Sequence, residues 1–128
     1  MKILVAGARG LLGSAFQVSA HGTGHVWDFR TREALDLLKI DQITTAVTEF
    51  KPDLVVNCAG IVGGISQQQS KKFETLSKNL QMENNLQQVL RGRRDIKYLT
   101  FGSSTMYSPS SQVPFSEDML FEGWPHES

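Results

Sequence analysis

Lys2-Ile3-Leu4-Val5-Ala6-Gly7-Ala8-Arg9-Gly10-Leu11-Leu12-Gly13 decides how the rest of the chain is read. Ile3 to Ala6 is uniformly apolar, as in a strand covered on both faces, and the run stops at Gly7. Gly7, Gly10 and Gly13 then recur at every third residue and open a helix. In a strand–turn–helix unit this is the dinucleotide-binding pattern. The first glycine turns the chain, the second admits a pyrophosphate close to backbone, and the third lets helix pack on strand. Phosphates then lie at the helix N-terminus, where unpaired N–H groups and the positive dipole end favour an anion.

Outward from this motif, strand-like and helical periods alternate. Leu12, Ala15, Phe16 and Ala20 form one helical face, ended by His21-Gly22-Thr23-Gly24. His25 to Phe29 reads as a second strand, and Ala34 to Leu38 as a short third strand or its approach. Asp41 is placed to cap a helix with the apolar face Ile43, Ala46, Val47 and Phe50, broken at Lys51-Pro52-Asp53. Leu54 to Ala59 is a fourth, buried strand closed by Gly60, with Cys58 as a core thiol. A long helix spans Lys71–Arg91 and carries Phe73, Leu76, Leu80, Leu86, Val89 and Leu90. Ile96 to Phe101 is the fifth strand, and the prolines and serines beyond Ser108 predict little regular structure. The pattern predicts an α/β fold: a Rossmann-like doubly wound parallel sheet of about five strands, order 3-2-1-4-5.

Arg30 and Arg32 follow the second strand, where an adenosine ribose lies in this fold. Their guanidinium forks suit the 2′-phosphate of NADP, the reading the residues favour. Asp28, about 20 residues beyond the first glycine, suits the free ribose of NAD instead, and solvated arginines are the plain alternative. Ile61 to Ser66 leaves the fourth strand as a glycine-containing loop at the sheet's carboxyl edge, where ligands bind in open α/β sheets. Asn79, Asn84 and Asn85 are poor helix formers. Either they are exposed at a small cost, or one of them, with Asn79 the candidate, hydrogen-bonds a neighbouring loop. Gly102-Ser103-Ser104-Thr105 presents hydroxyls at the same edge, whereas Glu117, Asp118 and Glu122 read as loop charges.

Composition narrows the classes. A length of 128 residues suits one domain. Thirteen basic and 13 acidic residues give a net charge of +0, so no nucleic-acid partner is expected. No run has membrane-spanning length and Met1-Lys2 lacks a signal-peptide pattern, so a cytoplasmic protein is expected. The single Cys58 rules out an internal disulfide and a cysteine-based zinc site, and no metal site is expected.

Several segments together carry a family resemblance. They are Gly7 to Gly13, Arg30-Thr31-Arg32-Glu33, Val62-Gly63-Gly64-Ile65, Asn79 with Asn85, Gly102 to Tyr107, and Glu122-Gly123-Trp124-Pro125-His126. In these the chain resembles the extended short-chain dehydrogenase/reductase family of nucleotide-sugar epimerases and dehydratases, in its GDP-L-fucose synthase branch. The resemblance implies an NADP-dependent oxidoreductase/epimerase that delivers hydride to the C4 keto group of a GDP-linked 4-keto-6-deoxy sugar. It implies that Gly7, Arg9, Gly10, Leu11, Leu12 and Gly13 line the pyrophosphate and that Arg30 and Arg32 hold the 2′-phosphate. Asp36 and Leu37 would flank the adenine, and Ala59, Gly60 and Val62 would pass the nicotinamide ribose. Ser103 is the implied catalytic hydroxyl. Thr105 stands where the branch has a Cys serving as acid/base in epimerisation. A homodimer through the Lys71–Arg91 helix is implied as well.

One departure is large. The family's Tyr-x-x-x-Lys proton donor is not in this sequence, where Tyr98 and Tyr107 are followed four residues on by Gly102 and Ser111. The resemblance therefore implies that residues 1–128 are a partial NAD(P)-binding Rossmann domain without its C-terminal substrate domain. Such a domain would bind cofactor without turnover on its own. The alternatives are another NAD(P)-dependent nucleotide-sugar epimerase or dehydratase, and a non-catalytic dinucleotide-binding module.

Overall fold

The apolar run that opens the chain forms β1 (Lys2–Ala6) at the centre of the sheet in this computed structural model, which describes residues 1–63 and 70–124. β1 pairs in parallel with β2 (Val26–Arg30) on one side and β3 (Leu54–Asn57) on the other. β4 (Lys97–Thr100) pairs in parallel with β3 and forms the far edge, so the order is 2-1-3-4. Among the described residues the crossovers carry three helices of nine residues or more, α1 (Leu11–Ser19), α2 (Ile40–Phe50) and α3 (Lys72–Leu90). The architecture is the Rossmann-like α/β fold expected from the sequence.

The expected outer strand over residues 34–38 is not formed. Thr31 to Lys39 is a chain of turns, in which the N–H groups of Ala34 and Leu35 donate to the Thr31 carbonyl and that of Lys39 to Asp36. Asp36 is the cause, because its carboxylate accepts from Leu38 N–H at 3.1 Å, a local bond that competes with strand pairing. Leu35 and Leu37 still enter the core. Apart from this strand, the observed order is the expected one.

Strand alternation sorts the core into two layers. On one face Leu4, Ala6 and Val55 pack with Leu35, Leu37, Ile43, Val47, Met82 and Leu86. On the other, Ile3, Val5 and Val56 meet Phe16, Trp27, Phe29 and Leu54. In α2 the expected face of Ile43, Ala46 and Val47 is buried, but Lys39 takes the cap position and Asp41 sits in the first turn. In α1 the expected face is rotated. Gly13 is the buried residue and Phe16 and Ala20 follow it inward, while Leu12 and Ala15 are exposed. The close seat of Gly13 on the turn before it sets that rotation.

α3 is buried through its second half, at Met82, Asn85 and Leu86, while Phe73, Leu76 and Leu80 in its first half face solvent. Glu83 ties this helix to the sheet. Its carboxylate accepts from Tyr98 Oη at 2.6 Å, Asn57 Nδ2 at 3.3 Å and Gln87 Nε2 at 2.9 Å. Burial, reinforced by the Glu83 carboxylate, pushes the Tyr98 phenol from its ordinary value of 10.0 up to about 12. The folded phenol thus keeps a proton that the unfolded one releases. Its contribution to stability is complete below about pH 10 and is lost as pH rises to about 12. Urea unfolding of wild type and Tyr98→Phe from about pH 9 to about pH 12 checks this, and the variant is expected to show the shallower alkaline decline.

Candidate functional site

Three loops leave the carboxyl edge of the sheet side by side, and the first glycine fixes their spacing. Gly7 turns the chain after β1 with φ of +78°, in the left-handed region. A Cβ at Gly7 would lie 2.6 Å from Ala59 N and 2.7 Å from the Cys58 carbonyl carbon, so the turn is seated directly on the loop after β3. Gly13 is pressed against Gly7 and Ala8 from the helix side, where a Cβ would overlap the Gly7 carbonyl oxygen. Ala8 N–H donates to the Arg30 carbonyl at 3.0 Å, which fastens the turn to the end of β2. Gly10 is the N-cap of α1, and no side chain caps that end. The first-turn N–H groups remain as donors for an anion.

These loops enclose a cleft of about 280 Å³. Of the expected residues, Gly7, Arg9, Gly10, Arg32, Asp36, Leu37, Ala59 and Gly60 line it. Leu11 and Val62 do not, being 89% and 82% exposed, and Leu12 and Gly13 lie on α1 outside the lining. Gly64, Ile65, Pro125 and His126 lie outside the described residues. Arg30 does not line the cleft either. It faces a smaller depression with Asp41, Gln42 and Glu49, and its Nε donates to both Asp28 oxygens at 2.8 and 2.9 Å. That hydrogen bond to Asp28 raises the Arg30 pKa further.

The lining also includes Ile61, the first residue of the loop expected at this edge, and Glu33, Leu35, Cys58 and Met82, which sequence reasoning did not place there. Cys58 is partly buried: it packs against the Ile3, Val5 and Val56 cluster and also lines the cleft, because β3 ends at Asn57 and the next residue already belongs to the wall. Burial pushes its thiol pKa up, so it stays protonated. Met82 had a readable signal. It stands one helical turn after Asn79 and one before Asn85, and these two asparagines hold the walls on either side of it. Asn79 clamps Ile61, accepting from its N–H at 2.8 Å and donating to its carbonyl at 2.9 Å, as the loop-bonding alternative anticipates. Asn85, buried, donates to the Leu37 carbonyl at 2.8 Å. Asn84 is exposed.

Charge gathers at the rim. Arg9 Nη1 meets Glu33 Oε1 at 3.3 Å, with both side chains largely in solvent. A hydrogen bond from Thr31 leads in holding the Glu33 carboxyl below its usual range, and the fields of Arg9 and Arg32 add to it. Asp36 is engaged locally, since its N–H donates to Gln42 and its carboxylate accepts from Leu38.

Ser103 lies beyond the end of β4. Asn57 pairs with Thr100 in register, and Gly60 and Ser103 each follow that pair by three residues in loops leaving neighbouring strands. Ser103 Oγ lies 2.8 Å from Thr105 Oγ1 and accepts from Thr105 N–H at 3.3 Å, capping the short 3-10 turn Ser104–Met106. Both hydroxyls are exposed and neither lines the cleft.

The asparagine clamps lead to a stability prediction. Asn85→Ala leaves the buried Leu37 carbonyl without its donor and is expected to cost about 1–3 kcal/mol in chemical unfolding. Asn79→Ala should act locally, accelerating amide exchange at Ile61 more than at the β1 core, as hydrogen exchange would show.

The sequence pattern of the NAD dependent epimerase/dehydratase family matches residues 3–127. The chain is 36% identical over 125 residues to the GDP-L-colitose synthase of Yersinia pseudotuberculosis, covering 96% of this chain and 40% of that protein. It is 28% identical over 123 residues to the GDP-L-fucose synthase of Escherichia coli K12, covering 95% of this chain and 38% of that one. Among solved structures it superposes on a GDP-L-fucose synthetase from Naegleria fowleri bound to NADP with a TM-score of 0.82. Identity there is 27%, with coverage of 99% of this chain and 41% of that one. The chain thus spans about two fifths of the length of the curated relatives it matches.

Proposed function

Because the chain belongs to the NAD dependent epimerase/dehydratase family, we propose that residues 1–128 hold NADP(H) for a reductase/epimerase acting on a GDP-linked sugar. The observation that carries this reading is the seat of Gly7 on Ala59. It builds a cleft lined by Gly10, the uncapped N-cap of α1, and by the two guanidinium groups of Arg9 and Arg32. In this reading Gly7, Arg9, Gly10, Leu11, Leu12 and Gly13 form the pyrophosphate turn, with the first-turn N–H groups as donors. Asp36 and Leu37 flank the adenine, and Ala59, Gly60 and Val62 run past the nicotinamide ribose. The 2′-phosphate falls to Arg32 with Arg9, and Arg30 contributes at one remove by engaging Asp28. That engagement supports NADP over NAD, because the carboxylate that would accept ribose hydroxyls is already occupied.

NADPH supplies the hydride for a C4 keto group. Ser103 Oγ donates a hydrogen bond to that oxygen as negative charge develops on it, and Thr105, at 2.8 Å, orients the Ser103 hydroxyl. A threonine hydroxyl is not an anion near neutral pH, which favours reduction without epimerisation at this position. The GDP-linked substrate is supported by the names of the relatives, which make GDP-L-colitose and GDP-L-fucose. The 128 residues hold no Tyr-x-x-x-Lys pair. We read these residues as part of the NAD(P)-binding domain, expected on their own to bind cofactor without turnover; a non-catalytic binding module is the second reading.

No described helix is long and apolar enough to cross a membrane, and a cytoplasmic setting fits this chemistry. The exposed stripe of Phe73, Leu76 and Leu80 supports a homodimer through α3. Sedimentation equilibrium should find concentration-dependent association that Leu80→Glu abolishes.

Titration with NADPH and NADH, followed by energy transfer from Trp27 and Trp124, tests the cofactor reading. NADPH should bind the more tightly, and Arg9→Ala and Arg32→Ala should each weaken it about tenfold, more than Arg30→Ala does. A preference for NADH would return the ribose site to Asp28. Binding of neither would overturn the reading.

A further inference from the structure

We propose that Glu33 is a specificity-determining residue of the cleft. Its carboxylate occupies the place of an anion beside Arg9 and sets how strongly the site prefers a phosphorylated ribose to a free one. The proposal rests on the reading of the cleft as a dinucleotide site. Four observations carry it. Glu33 lines the cleft together with Arg9 and Arg32. Its Oε1 is 3.3 Å from Arg9 Nη1, bridging the turn after β1 to the segment after β2. Arg30, the other cation at the end of β2, is held by Asp28 on a different surface. Asp36, the other carboxylate of the lining, accepts from the Leu38 N–H of its own loop through Oδ1.

Arg9 and Arg32 are thus the cations open to a ligand in the cleft, and Glu33 competes for them. A phosphomonoester must displace the carboxylate from Arg9 and then meets its repulsion. A ribose carrying free hydroxyls offers donors that the same carboxylate accepts. Glu33 therefore penalises the first ligand and assists the second. Both partners of the ion pair are exposed, at 76% and 71%, so exchange requires no disruption of packing.

The test is titration of wild type and Glu33→Gln with NADPH and with NADH, with thermal unfolding of both proteins as the check on folding. Glu33→Gln keeps the shape of the side chain and removes its charge. NADPH is expected to bind roughly three- to tenfold more tightly to the variant, and NADH no more tightly than to wild type. The ratio of the two affinities is the readout, because a merely structural effect would move both together. Glu33→Asp, which keeps the charge on a shorter arm, should fall between wild type and Glu33→Gln. If wild type binds both ligands and Glu33→Gln leaves their ratio unchanged, the proposal is overturned and the cofactor reading stands. If neither protein binds either ligand, the cofactor reading fails and takes this proposal with it.

Discussion

The contact between the Gly7 turn and the backbone of Cys58 and Ala59 is the constraint on which the rest of the site depends. It brings the loop after β1 against the loop after β3 with no side chain between them. Gly13 repeats the arrangement from the other side by seating α1 on Gly7 and Ala8. Once those two contacts exist, α1 can point its uncapped end only along the carboxyl edge of the sheet. The rotation of α1 follows from the same source. The helix gives up burial of Leu12 and Ala15 so that Gly13 can sit close. Backbone proximity, more than apolar area, decides the geometry here.

Around this seat the walls are held by polar groups reaching in from a distance. Asn79 and Asn85 grip Ile61 and Leu37, and Glu83 gathers Tyr98 and Asn57 beneath the floor. No buried side-chain nitrogen or oxygen among the described residues lacks a partner. A cleft lined by so much backbone needs such support, because loop segments have no ladder of their own to keep them in place. The charges divide in a comparable way. Arg30 and Asp28 pair with each other on the α2 side, and Arg9, Arg32 and Glu33 remain at the rim.

The parts legible in the sequence were those written in short-range patterns. β1, the α2 face and the parallel order follow from apolar runs and helical spacing, which need no knowledge of what lies opposite. Residues 34–38 read as a strand or its approach, and the strand alternative fails: Leu35 and Leu37 are as apolar as strand residues, while the local bond of Asp36 to Leu38 favours turns. Arg30 and Arg32 look equivalent as a pair, yet alternation along β2 carries Arg30 to the face of Asp28. Val62 faces solvent, although its neighbour Ile61 lines the wall. Glu33 enters the site through tertiary placement, which composition does not encode. The asparagines of α3 were visible as anomalies, and the structure supplies their partners.

Those two asparagines also turn α3 into a ruler. One rigid element grips both walls of the cleft, and the rise along the helix from Asn79 to Asn85 sets about 9 Å between the two grips. The intervening Gln81 and Asn84 face solvent and are free to vary in kind. Their number is not free. Adding or removing a single residue there would swing one clamp about 100° around the helix axis and release a wall. Those two positions are therefore tolerant of substitution and intolerant of any change in length, the reverse of what is usual for residues so exposed.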